Sequence, residues 1–107
     1  MSGTFLRILQ LVQSGDVKIS DHGYDEFAAD HIFVRDVMAA VTDAVIVEDY
    51  PNYPKGPSVL VLQKDRTGQA IHVVWGIPKG ALSPAVLVTA YRPDLERWED
   101  DFLRRKK

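Results

Sequence analysis

The chain has no cysteine, which excludes disulfides, thiolate zinc sites and thiol catalysis, and fits a reducing compartment. It also has no apolar run near the ~20 residues that span a bilayer. Its start, MSGTFLRILQLVQSGD, lacks the long apolar stretch and small-residue cleavage site of a secretory signal. A cytoplasmic protein without membrane contact is the expectation. The glycine fingerprint of dinucleotide sites, the P-loop and the HExxH zinc motif are all missing, so no cofactor is expected. The three histidines and fifteen acidic residues show no metal-ligand spacing, so no metal is expected either.

What is present suits one α+β domain over residues 1–107. The hydrophobic share of 46% and charged share of 26% are those of a globular chain. At this size about 60–65% of the unfolded surface is buried on folding, enough for one core without staples. Net charge is −2, which gives no global pull toward nucleic acid. Its distribution is uneven. Residues 1–50 hold three basic and nine acidic residues; residues 51–107 hold ten basic and six acidic. The second half is either ordinary solvated surface or a basic face for an anionic partner.

Phe5, Ile8, Leu9 and Val12 recur at helical spacing and predict a helix over 4–13, with Thr4 as its cap and Gly15 at its end. Residues 17–19 read as a short extended link. A second helix is expected over 21–30, with Tyr24, Phe27 and Ala28 on its apolar face. A third is expected over 34–42, through Val34, Val37, Met38 and Val41. The period changes at residue 44. Four strands follow: AVIVEDY, SVLVLQK, QAIHVVW and AVLVTAYR, with short loops that favour an antiparallel meander. Pro93-Asp94 then opens a last helix carrying Leu95, Trp98 and Phe102. The expected fold is N-terminal helices packed on a four-stranded antiparallel sheet, with a C-terminal helix.

The central strands are apolar on both faces. Val59 and Val61 alternate with Leu60 and Leu62. Ile71, Val73 and Trp75 oppose His72 and Val74. A sheet solvated on one side alternates more cleanly, so both faces are expected to be covered. The N-terminal helices suit one face. The Leu95/Trp98/Phe102 stripe suits part of the other, within the chain or across a dimer.

Histidine is the side chain best placed for proton transfer near neutral pH. His72 sits mid-strand, either as a core histidine or as an inward acid or base on a rigid sheet. His22 opens the second helix, either as a solvated residue or as an acid–base partner oriented by Glu26. His31 continues an apolar stripe. Two histidines with nearby cations suit RNA cleavage: one takes the 2′-hydroxyl proton, the other protonates the leaving oxygen, and a cation steadies the phosphate. The candidate cations are Arg92, Lys55 and Lys79. Tyr91 and Tyr50 are candidates for hydrogen bonding or base stacking.

The stretches ISDHGYDEF, EDYPNYPKGPSVLVL, GQAIHVVW and VTAYRPDLERW together resemble a prokaryotic family catalogued as domain of unknown function 4258. The resemblance spans roughly residues 18–104. In layout the family is similar to the RelE/ParE-like toxins and related small RNases. That resemblance implies a metal-free RNA-cleaving activity, with RNA as substrate and a paired antitoxin as partner. By position it implies functional roles for His22, His72, Thr89 and Tyr91. Members often carry an arginine at the end of the second helix; here the run is Asp30-His31-Ile32. The site expected is therefore His22 and His72 as acid and base, with Arg92, Tyr91, Lys55 and Thr89 on the substrate. Alanine at His72 is expected to abolish cutting with little effect on melting. The competing expectation is a catalytically inert protein-interaction module, monomer or homodimer, acting through its sheet face or its C-terminal helix.

Overall fold

The computed structural model describes residues 2–20 and 30–106. The second helix expected over 21–30, with His22, Tyr24, Glu26, Phe27 and Ala28, lies outside the described residues except for its last position.

Helix α1 runs Gly3–Gln13 and is capped by Ser2, not Thr4: the Ser2 hydroxyl accepts the Phe5 N–H at 3.1 Å. Eleven residues are marginal as an isolated helix. Burial of Phe5, Ile8 and Leu11, roughly 1.5–3 kcal/mol each, is what holds it. Gly15 at φ 79° ends the helix, and the Asp16 N–H reaches back to Leu11.

Strand β1 follows at once, Val17–Ile19. Helix α2 spans Val34–Ala40 and tightens into a 3-10 turn at Val41–Asp43. Four more strands complete the sheet: β2 Val45–Tyr50, β3 Ser58–Lys64, β4 Ala70–Gly76 and β5 Ala85–Tyr91. The strand order is β1-β5-β4-β3-β2. The pairs among β2 to β5 are antiparallel, and β1 lies parallel to β5 with Val17 beside Ala85.

This corrects the expected four-stranded antiparallel sheet to a five-stranded mixed one. Three residues carry too little periodicity to be seen as a strand. Their pairing partner is remote in sequence, and it is fixed from outside: Ala85 N–H to the Asp16 carbonyl, Ser20 N–H to the Leu87 carbonyl.

The expected C-terminal helix is also absent. Asp94 caps a single turn by accepting from Arg97 and Trp98. The chain then reverses, with Glu99 N–H on the Arg104 carbonyl, Lys106 N–H on the Arg97 carbonyl, and a bridge between Trp98 and Arg105. Two local causes defeat the helix. Glu96, Glu99 and Asp100 would stack like charges at i, i+3 and i, i+4. The Asp101 carboxylate takes the Leu103 N–H for itself. Phe102 sits at φ 59° at the reversal. We refer to residues 93–106 as the strap.

Phe5, Ile8, Val37 and Val41 pack onto one sheet face, formed by Val59, Val61, Ile71, Val73, Trp75 and Leu87, all buried. Both polar atoms of the buried Gln63 side chain are bonded there: its amide nitrogen donates to the Val37 carbonyl at 2.8 Å and its oxygen accepts from the Trp75 indole at 3.1 Å. No helix among the described residues is long and apolar enough to cross a membrane.

Candidate functional site

The opposite sheet face carries the polar groups, and two β-bulges decide which ones. Ile46 pairs with Val61 on the helix-covered face, yet Glu48 pairs with Leu60 on the other, because the register shifts at Val47. Trp75 pairs with Leu87 on the core face, yet Thr89 pairs with Val74 and Tyr91 with His72, because a second shift falls at Val88. Strict alternation would send Glu48, Thr89 and Tyr91 into the core. The extra residues re-aim all three onto the face of His72.

His72 is fully buried there, at 0% exposure. Its Nε2 lies 2.7 Å from the Phe102 carbonyl and its Nδ1 lies 3.2 Å from the Tyr91 hydroxyl. A carbonyl only accepts, so Nε2 carries the hydrogen and Nδ1 accepts from the phenol. Trp98 stands edge-on to the imidazole at 4.3 Å, and Tyr91 does so at 5.4 Å. Burial holds the His72 pKa below its ordinary value, and the Arg105 charge adds to this; the Phe102 and Glu48 oxygens oppose it.

Beside the imidazole, Arg105 forks onto Glu48 with Nε and Nη2 at 2.8 and 2.9 Å. The Tyr50 hydroxyl donates to the same carboxylate. The Arg105 bond and charge pull the Glu48 pKa below the usual carboxylate value against partial burial. Burial, followed by the Glu48 contact, raises the Tyr50 hydroxyl. The Arg105 guanidinium also lies over the Trp98 ring, 4.7 Å from its centre.

The expected site residues are not all brought together. His72, Tyr91 and Thr89 share one face. Arg92 does not join them. Its guanidinium pairs at 2.9 Å with Asp65 in the β3–β4 hairpin turn, and its backbone N–H is taken by Asp30 at 3.1 Å. Asp65, held to about 2, overcomes its own burial through bonds from Thr67, Gln69 and Arg92. His22 lies outside the described residues. Asp30 stands where the family resemblance expects an arginine, and His31, next to it, is exposed at φ 55°.

Lys55 belongs to a different part of the same face. There the strap does not reach, and a groove of about 500 Å³ lies open between two loops, 51–57 joining β2 to β3 and 77–84 joining β4 to β5. Val74, Val86 and Val88 form its bed, Tyr53, Lys55 and Ser58 its border, and Gly76 and Ile77 its end. The loops are locked together: the Lys79 N–H meets the Lys55 carbonyl, the Ile77 N–H meets the Pro57 carbonyl, and Gly56 at φ 126° lets the chains touch.

Sequence reasoning missed Glu48 and Arg105. A signal was available for Glu48: it shares a β-strand with Tyr50 at the two-residue spacing of one face. No sequence signal marked the fork from Arg105.

Residues 19–92 match the family model for Domain of unknown function (DUF4258). The chain belongs to that family. Neither the curated proteins nor the solved structures give a match. The DUF4258 match ends at Arg92, so Glu48, Tyr50, His72 and Tyr91 lie inside it and the strap that covers them lies beyond it.

Proposed function

We propose that this DUF4258 domain binds single-stranded RNA along the sheet face turned away from its helices. The observation that carries the reading is the open groove bounded by Tyr53 and Lys55. Its bed is apolar, as a base requires once out of water. Tyr53 is half exposed, at 50%, and offers a stacking surface. Lys55 stands at its rim, so a cation borders the groove where a phosphate would follow the base. The excess of basic residues after residue 50 supports the same polarity.

The test is fluorescence anisotropy of labelled single-stranded RNA against the full chain. Stacking is worth about 1–3 kcal/mol per base, so Tyr53→Ala weakens binding roughly 5- to 150-fold. Lys55→Ala flattens the salt dependence by about one unit of slope. Binding that survives both substitutions unchanged removes this reading.

A second reading, a toxin-like endoribonuclease with His22 and His72 as acid and base, is favoured by the contact between His72 and Tyr91 beside Glu48 on that same face. A fully buried imidazole cannot exchange a proton with substrate, so this chemistry requires the strap to leave. A paired antitoxin is the partner this reading implies. RNA cleavage in the presence of a chelator, lost in both His22→Ala and His72→Gln, supports it; no cleavage by the full chain under any strap-opening condition excludes it.

A further inference from the structure

Among the described residues, the strap's backbone-to-backbone hydrogen bonds all stay inside it: Arg97 and Trp98 to Asp94, Glu99 to Arg104, Phe102 to Glu99, and Lys106 to Arg97. No ladder ties it to a strand. It meets the sheet instead through a short set of chemical groups. These are the N–H fork of Arg105 on Glu48, the carbonyl of Phe102 on His72, and the indole of Trp98 against the imidazole. Such a segment can lift away while the five strands keep every bond they make to one another.

The set of groups is also specific. A planar two-donor fork, a separate acceptor and an aromatic surface are what a guanine base presents. Its N1–H and N2–H2 donate side by side, which suits a carboxylate. Its O6 and N7 accept on the adjoining edge, which suits the Nε2 hydrogen of His72. Adenine and cytosine place a ring acceptor next to their amino group, and uracil sets one N–H between two carbonyls. None of those three offers a carboxylate two parallel donors.

We propose that Glu48, His72 and Tyr91 form a guanine site, and that the strap occupies it as a stand-in for the base. The inference deepens the RNA reading and rests on it for the source of the guanine. The position of the family match supports the division of labour: the groups that would hold the base fall within residues 19–92, and those that replace it fall after them.

The experiment uses the full chain, wild type and Arg105→Ala, with GMP and AMP as probes. Diethylpyrocarbonate acylates accessible imidazoles, and mass spectrometry resolves them by peptide. His31 is exposed and serves as internal standard. Loss of the ion pair and of the cation–π contact raises the open population, so His72 in Arg105→Ala is modified about three- to tenfold faster, with His31 unchanged. GMP then slows the modification of His72 and binds the variant at least about threefold more tightly than wild type, because less of the closed state has to be displaced. AMP does neither. Adding Glu48→Gln abolishes the GMP effect.

A His72 that stays unmodified in Arg105→Ala, or GMP and AMP acting alike, overturns the proposal. RNA binding that depends on Tyr53 without any protection by GMP removes this inference and leaves the groove reading intact. Protection by GMP without Tyr53-dependent RNA binding does the reverse.

Discussion

The hydroxyl of Tyr91 donates to Nδ1 of His72 across β4 and β5 at 3.2 Å, and it has no alternative direction because the Phe102 carbonyl already holds the Nε2 hydrogen at 2.7 Å. The pair fixes one neutral tautomer in a dry setting. Most of what can be tested about this face follows from that arrangement.

Stability should fall on mild acidification. The folded His72 pKa lies below its ordinary 6.5 through burial. Above that value both folded and unfolded imidazoles are neutral and the contribution is whole. As pH drops through 6.5 the unfolded chain takes up the proton first, and stability declines until the folded pKa is passed. Denaturant titrations on either side of this window measure the loss. An NMR midpoint for the His72 ring at or above 6.5 contradicts the assignment.

The expectation that His72→Ala spares the melting point no longer holds. Removing a fully buried ring leaves a cavity and strands the Tyr91 hydroxyl, a cost of about 2–4 kcal/mol. His72→Gln keeps a donor for the Phe102 carbonyl and should cost less. Urea unfolding compares them; equal losses would mean that packing alone is at stake.

Asp65 organises the β3–β4 hairpin. Its carboxylate accepts from the Thr67 N–H, the Thr67 hydroxyl and the Gln69 N–H, and pairs with Arg92. Asp65→Ala should destabilise by roughly 1–3 kcal/mol, without changing RNA affinity. Since its folded pKa is about 2 against an ordinary 3.8, its contribution is whole above 3.8 and disappears as pH falls toward 2. A large loss of RNA affinity in Arg92→Ala would return Arg92 to the ligand site and count against a purely structural pair.

Gly56 carries the junction of the two loops. A Cβ there would sit 2.0 Å from the Ile77 carbonyl oxygen and 2.7 Å from the Lys79 nitrogen, at φ 126°. Both neighbours are backbone and cannot turn aside. Gly56→Ala should cost about 2 kcal/mol or more and part the walls of the groove, so thermal stability and RNA affinity fall together. Retained affinity in a destabilised variant would separate the groove from binding.

Ser58–Lys64 was legible in the sequence to the residue, and the other three long strands nearly so, because β-branched runs bounded by proline and glycine leave little choice. Cover over part of the second sheet face was legible from Leu60 alternating with Val59 and Val61, whereas Val74 lies in the open groove. The site was not, for a geometric reason. Single extra residues at Val47 and Val88 invert the side-chain alternation, and nothing in the local composition marks them. Trp98 and Phe102 were rightly grouped by chemistry and wrongly by shape. They converge on one imidazole through a chain reversal, whereas Leu95, the third member of the supposed stripe, is 53% exposed.

The parallel contact of β1 with β5 ties the order of folding to the order of synthesis. The Ser20 hydroxyl and the Val88 carbonyl it bonds are 68 residues apart. Within this domain Val17–Ile19 is synthesised well before β5, the strand it joins. Closing so long a loop is entropically costly and slow, so the pairing of Val17–Ile19 with β5 is expected among the late steps of folding.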